Sequence, residues 1–292
     1  MLFCCDRDPY RHGMALITPA PTSVARRATP RRLLLCAPTY FDVTYAINPW
    51  MVEAEPVDRR IAGEQWDTLR STYESLGHAV EVIDAVPGLP DMVFAANAGL
   101  VVDGAVLPAR FHHDERRGEE APYRRWFDER GYRIVDDRGV VNEGEGDFLV
   151  AGDVVLAGSG FRTDPAARRL VEQAFGRPAL PLELVDPRFY HLDTALTVLD
   201  ERTIAFYPPA FAAESRRELL RWFPDAIIAG EADAMALGLN AFSDGANVVL
   251  AEGADQLVEQ LAERGFAPHP VPMGEFRKAG GAVKCCTLEL RS

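Results

Sequence analysis

Residues 192–230 read LDTALTVLDERTIAFYPPAFAAESRRELLRWFPDAIIAG. The first part, to residue 208, reads as a β-hairpin. Residues 212–223 carry helical spacing, and AIIAG at 226–230 is a short apolar strand. The order is strand, strand, helix, strand. Working upstream, DFLVAGDVVLAG (147–158) is a hairpin turning at Gly152-Asp153. It is followed by a helix in TDPAARRLVEQAFG (163–176), with Asp164 or Thr163 as cap, Pro165 in the first turn and Gly176 at the end. MVFAANAGLVVDGAVLPAR (92–110) is two strands joined by Asp103-Gly104. A helix over about 115–130 ends at Gly131, and YRIVD (132–136) is a strand. LLLCAP (33–38) is a buried strand. Ile61, Trp66, Leu69, Tyr73 and Leu76 mark a helix over 60–77, and HAVEVID (78–84) is the next strand. Downstream, AFSDGANVVLAE (241–252) is a strand pair, GADQLVEQLAERGF (253–266) a helix and APHPVPM (267–273) a strand. AVKCCTLELR (282–291) reads as a closing strand.

Helix centres near 68, 123, 169, 218 and 260 fall roughly 42 to 55 residues apart. Five hairpin–helix–strand units point to radial repetition rather than a doubly wound sheet. No Gly-rich phosphate loop follows a strand, which disfavours a nucleotide site. With no interior linker, residues 31–292 read as one α/β domain. Residues 1–30, which contain Arg26-Arg27 but no apolar segment with a cleavage site after it, read as a disordered tail.

The 292 residues carry 31 Lys+Arg and 44 Asp+Glu, a net charge of −13, which argues against a nucleic-acid backbone as partner. No apolar run is long enough to span a membrane. Five cysteines, two pairs of them adjacent (Cys4-Cys5 and Cys285-Cys286), do not make a disulfide framework, so a reducing, cytoplasmic setting is expected. Neither Cys nor His shows zinc-ligand spacing, and no metal site is expected.

Four short stretches carry candidate chemistry. Cys285 follows Gly280-Gly281, where backbone freedom can present a nucleophile; the structural alternative is that Cys285 and Cys286 alternate faces of a strand, one of them a small core residue. In FYHLDTAL, His191 opens a strand and Asp193 points to the same face two residues on, a pair suited to acid–base work and cation binding. NEGEGDFL interleaves Glu143, Glu145 and Asp147 with glycines, although a solvated acidic turn has the same composition. Asp91 and Asn97 bracket Phe94, which fits a planar cation but is also ordinary turn chemistry.

Taken in order, these stretches resemble the guanidino-group-modifying enzymes, which include arginine deiminase, dimethylargininase, arginine dihydrolase and the amidinotransferases. The resemblance runs from about residue 32 to 291. It implies a five-bladed α/β propeller (pentein) of ββαβ units with pseudo-fivefold symmetry. It implies Cys285 as nucleophile, with Thr287 two residues on, His191 as acid–base residue and Asp193 as its substrate-binding partner. The acidic catalytic position falls on Glu143 or Glu145, with Glu143 preferred because relatives with this longer loop keep it. The dimethylargininases grip the amino-acid carboxylate with two arginines. Their spacings, nineteen residues after position 97 and fifteen after position 147, fall on Arg116 and Arg162. Glu145, Asp91 and Phe94 join them as candidate substrate-binding residues.

One position departs from the deiminase pattern. The first motif ends in Asn97 rather than aspartate, and this form resembles the arginine dihydrolases, as does YAINPWM (45–51), where Asn48 and Tyr45 are candidate substrate contacts. The resemblance therefore implies a cysteine-dependent hydrolase acting on the guanidino carbon of arginine or N-methylated arginine. It would pass through a covalent thiouronium, release citrulline with ammonia or methylamines, and use no cofactor. Complete hydrolysis to ornithine, carbon dioxide and two ammonia is the dihydrolase alternative. An amidinotransferase is disfavoured by chain length, and a non-catalytic, RNA-linked propeller by the charge of −13. The expected partners are the small-molecule substrate and at most a second copy of the chain in a homo-oligomer, with no nucleic acid and no membrane.

Overall fold

A computed structural model of the chain describes residues 26–52 and 55–292; Cys4, Cys5 and most of the expected tail lie outside them. Strand β1 (Arg32–Cys36) leads through helix α1 (Arg59–Ser75) to β2 (Ala79–Ile83), which pairs with β1 in parallel. In α1 the buried face is Ala62, Trp66, Leu69 and Tyr73, at helical spacing. Asp58 caps its first turn by accepting from the Arg60 and Ile61 amides at 3.0 Å each. Burying side chains of the Trp and Leu class contributes roughly 1.5–3 kcal/mol each.

The next four units repeat one plan: an antiparallel hairpin, a helix, and a third strand parallel to the second. They are β3 (Gly99–Val102), β4 (Ala105–Pro108), α2 (Glu120–Glu129) and β5 (Arg133–Ile134), then β6 (Phe148–Ala151), β7 (Val154–Ser159), α3 (Ala167–Phe175) and β8 (Ala179–Glu183). The fourth unit begins with a single helical turn, α4 (Leu192–Ala195), before β9 (Leu196–Val198), β10 (Ile204–Phe206), α5 (Ala213–Trp222) and β11 (Ile227–Ile228). A short α6 (Glu231–Met235) precedes β12 (Phe242–Ser243), β13 (Asn247–Ala251), α7 (Asp255–Glu263) and β14 (Ala267–Val271). After the turn α8 (Gly274–Arg277), β15 (Leu288–Glu289) returns to β1 and pairs antiparallel, Leu34 opposite Leu288. The result is five three-stranded sheets, the first built from both ends of the described chain.

Apolar side chains join each sheet to the next. Leu34 and Cys36 pack with Val101 and Val106, Leu100 and Leu107 with Val155 and Ala157. Leu149 and Leu156 share a core with Leu196, Ile204, Val248 and Leu250, and Val249 and Val271 return to Leu33 and Leu35. No helix among the described residues is long and apolar enough to cross a membrane.

Four local expectations are corrected. Residues 92–98 are two tight 3-10 turns ahead of β3, not strand, so Asp91, Phe94 and Asn97 sit on turns. Residues 192–195 turn helically because Asp147 Oδ1 accepts the Leu192 amide at 3.0 Å, so His191 and Asp193 do not share a strand face. Residues 284–287 form a turn, not strand, with the Thr287 amide donating to the Lys284 carbonyl at 2.8 Å; Cys285 and Cys286 therefore do not alternate across a sheet. The sequence reading also passed over β8, whose Pro181 suits its place at a sheet edge.

Candidate active site

The segments flagged by sequence bring their polar side chains together in one cluster closed to solvent. Cys285 is 1% exposed, His191 1%, and Glu143 and Asp193 are completely buried. The Cys285 thiol donates to Asp193 Oδ2 at 3.3 Å. Burial pushes this thiol well above its ordinary pKa, and the Asp193 carboxylate pushes it further, so without substrate Cys285 holds its proton. Asp193 Oδ1 has no hydrogen-bond partner. Burial raises the Asp193 carboxyl to about 6, against the opposing effect of His191 and Lys284.

His191 Nε2 lies 2.7 Å from Glu143 Oε2, and Arg162 Nη1 donates to the same oxygen at 3.0 Å. Burial alone would raise the Glu143 carboxyl, but Arg162 and the His191 hydrogen bond hold it well below the usual carboxylate range. Glu143 is therefore ionised and can only accept, so Nε2 carries the hydrogen and Nδ1, which has no partner, is left for proton transfer. The second Glu143 oxygen accepts the His112 amide at 3.1 Å, and the Thr163 hydroxyl accepts the Glu143 amide at 3.0 Å. Glu143 is thus committed to orienting His191 and Arg162 and does not face a substrate cation alone.

Glu145 points elsewhere. Its carboxylate takes Lys284 Nζ at 2.6 Å, the Glu289 amide at 3.1 Å and the Arg291 guanidinium. This corrects its candidacy as a substrate contact: both oxygens are consumed in tying the acidic loop to the Cys285 turn and β15.

The two arginines are not equivalent. Arg116 forms a fork with Glu119 at 2.9 and 2.8 Å, donates to Asn97 Oδ1 at 2.7 Å and to the Asp91 carbonyl at 3.2 Å. Four of its five N–H groups are used. Arg162 uses two, one on Glu143 and one on the Ile47 carbonyl at 2.9 Å, and lies 4.6 Å over the Tyr190 ring. Arg162 is the freer anion donor, while Arg116 mainly orients Asn97. With Asn97 Oδ1 occupied, its Nδ2 faces the Glu143 carbonyl at 3.4 Å.

Asp91 Oδ2 accepts the Tyr45 hydroxyl at 3.0 Å and Oδ1 is unpartnered. Asn48 spends both ends of its amide on backbone, the Ala279 carbonyl at 3.0 Å and the Trp50 amide at 2.9 Å, so it shapes the wall beside Gly280. Gly280 has φ +80, and a Cβ there would lie 2.9 Å from Asn48 Oδ1. Phe94 lies against Gly281 and packs edge-on to Phe41 at 5.7 Å.

Three residues make site contacts that the sequence did not assign to them, Glu119, Asp147 and Asn240. Glu119 is the acidic end of the RRGE string, three positions from Arg116, so its signal was present. Asp147 was noted in the acidic turn but its hold on Leu192 depends on the tertiary fold. Asn240 carried no signal in its own neighbourhood.

No family model matches the chain. It is 49% identical to the N(G),N(G)-dimethylarginine dimethylaminohydrolase of Mycobacterium tuberculosis, over 99% of this chain and 97% of that protein. It is 38% identical over 89% of its length to the bifunctional arginine dihydrolase/ornithine cyclodeaminase ArgZ of a Synechocystis strain, of which it spans 37%. The solved N-terminal domain of ArgZ bound to product superposes with a TM-score of 0.87, covering 90% of this chain and 98% of that domain. A cysteine-to-serine variant of the same domain was solved with substrate bound. These likenesses put the chain in the class of guanidino-group-modifying enzymes. More narrowly, it belongs to the dimethylarginine dimethylaminohydrolase family.

Proposed function

We propose that the chain hydrolyses the guanidino group of arginine or an N-methylated arginine, with Cys285 as nucleophile. The observation that carries this reading is the Cys285 thiol bonded to Asp193, whose other oxygen is buried without a partner. A guanidinium has the planar N–H groups to satisfy Asp193 Oδ1 and Asp91 Oδ1, and its charge offsets the desolvation of both. Arg162, with three N–H groups unspent, receives the amino-acid carboxylate.

The bound cation next to Asp193 favours the thiolate. Sulfur attacks the guanidino carbon, and the thiol proton passes by way of His191 to the departing nitrogen, which leaves as ammonia or a methylamine. His191 Nδ1 then takes a proton from water. The resulting hydroxide attacks the thiouronium carbon, releasing a ureido product and restoring the cysteine. In this reading the five sheets close around the buried cluster as a five-bladed propeller, supported by the shared cores that lead from each sheet to the next and from the fifth to the first.

A second reading follows from Asn97. With Oδ1 taken by Arg116, its amide nitrogen is a donor that suits the oxygen of a ureido group, so the citrulline formed first would remain a substrate and yield ornithine, carbon dioxide and a second ammonia. One experiment covers both readings. The protein is incubated with arginine and with asymmetric dimethylarginine, with Cys285→Ser as blank, and citrulline, ornithine, ammonia and dimethylamine are quantified. Citrulline or dimethylamine supports the first reading, and ornithine with two ammonia per arginine the second. Turnover of neither compound, or full activity of Cys285→Ser, overturns the assignment.

A further inference from the structure

Asn240 lies on the connection between α6 and β12, forty-five residues before Cys285, and its side chain is completely buried. Its Oδ1 accepts two backbone amides of the nucleophile turn, Ala282 and Cys285, at 3.0 Å each. Its Nδ2 donates to the Asp193 carbonyl and to Cys285 Sγ, both at 3.1 Å. Its own carbonyl accepts the Lys284 amide at 3.1 Å. One side chain therefore joins the turn that presents the sulfur to the turn that presents Asp193.

The backbone leading to it supports a dedicated placement. Leu237, a non-glycine residue with its side chain fully buried, is held at φ +56, and its carbonyl accepts the Asn240 amide at 3.0 Å. A left-handed leucine costs roughly 1–2 kcal/mol, and strain of that kind gathers where surrounding structure fixes a functional geometry.

We propose that Asn240 is a positioning residue of the reaction: it sets the Cys285 turn and gives the sulfur a hydrogen bond as it becomes thiolate. The proposal rests on Cys285 being the nucleophile. The other groups near the sulfur do not replace this bond. Asp193 on α4 accepts from the thiol and opposes its ionisation, and Cys286 on the same turn adds to that opposition. Lys284 is turned to Glu145 and the Thr287 carbonyl, His191 to Glu143, and the Tyr190 hydroxyl to the Gly280 carbonyl. Among the described residues, Asn240 is the one side-chain N–H donor bonded to Cys285 Sγ.

The test compares the full chain with Asn240→Asp and Asn240→Ser, each in a Cys286→Ser background. The readouts are the pH dependence of iodoacetamide alkylation at Cys285, kcat and KM on arginine, and thermal unfolding. Asn240→Asp keeps the acceptor for Ala282 and Cys285 but replaces the donor with a carboxylate oxygen that, like Asp193, opposes the thiolate, so the alkylation profile moves up by about one pH unit or more. The lost bond by itself is read from Asn240→Ser, which adds no charge and moves the profile the same way. On the same grounds kcat falls roughly 100-fold while KM stays within about threefold. Should Asn240→Asp not fold, Asn240→Ser, with no amide to donate, carries the same comparison. An unmoved alkylation profile with unchanged kcat overturns the proposal, as does failure of both variants to fold, which would make Asn240 a packing residue. An active Cys285→Ser instead overturns the nucleophile assignment on which the proposal rests, so the two failures are distinct.

Discussion

Asp193 is a buried carboxyl whose proposed role in holding the substrate is set against its cost to stability. Burial raises its pKa to about 6, above the ordinary 3.8. The folded chain therefore keeps this proton to higher pH than the unfolded chain does, and the stability it contributes is largest in acid and is lost as pH rises through about 6. Ionised, the same group is what a guanidinium needs. Asp193→Asn should thus raise folding stability at neutral to alkaline pH by roughly 1–3 kcal/mol while turnover is lost. Urea unfolding of both proteins checks this; an Asp193→Asn midpoint at or below the parent's would show that the carboxylate is better stabilised than its surroundings suggest. The wild-type kcat/KM should show an acid limb near pH 6 from the same group. At this scale much of the site was legible. The stretches holding Cys285, His191, Asp193 and Glu143 stand out in the sequence, but composition alone leaves each with a structural alternative, and their roles, like the choice of Arg162, come from the resemblance to the guanidino-group-modifying enzymes. Asn240 was not legible, since an asparagine in a connecting loop is ordinary turn chemistry until the fold brings Cys285 to it.

Between residue and molecule lie the turns that aim these side chains. Hairpins at Asp103-Gly104 and Gly152-Asp153 were readable because the positive φ at Asp103, Gly104 and Gly152 is a local demand met by local residues. The turns at 192–195 and 284–287 were not, because beside their own local bonds each is anchored by a distant side chain, Asp147 or Asn240, more than forty residues away. Apolar alternation in LDTALTV and AVKCCTLEL reads as strand, and distant side chains override it. The loop at Gly146 shows how closely such turns pack: a Cβ there would lie 2.4 Å from Asn97 Nδ2 and 3.1 Å from His191 Nδ1. Gly146→Ala should push both side chains off their hydrogen bonds and lower kcat/KM by roughly 100-fold with a smaller effect on unfolding temperature. Steady-state kinetics beside thermal unfolding separates the two; a loss of stability with normal kcat/KM would mean that the loop, and not the pair of side chains, gives way.

At the scale of the whole molecule, five repeats of one sheet plan were visible in the sequence from the recurrence of hairpin, helix and strand. Less visible was that β15 is only two residues long and that the first sheet needs it. Leu288, completely buried opposite Leu34, holds that junction three residues beyond Cys285. Leu288→Ala should cost roughly 2–4 kcal/mol of stability and also reduce kcat, measurable by urea unfolding and by turnover well below the midpoint. Unchanged kcat would show that the Cys285 turn is held by Asn240 and Glu145 independently of the strand.

The pairing of β1 with β15 also imposes an order on biosynthesis. Sheets two to five are each complete within a contiguous stretch of chain, so they can form as the ribosome delivers them. The first sheet cannot: β1 emerges early and keeps one edge open until Leu288 and Glu289 arrive, a long wait for a segment as apolar as LLLC. Cys285, the proposed nucleophile, emerges only three residues ahead of Leu288. On the proposed reading a chain stalled in translation before residue 285 lacks the attacking sulfur altogether, so closure of the first sheet and completion of the site arrive together at the very end of synthesis.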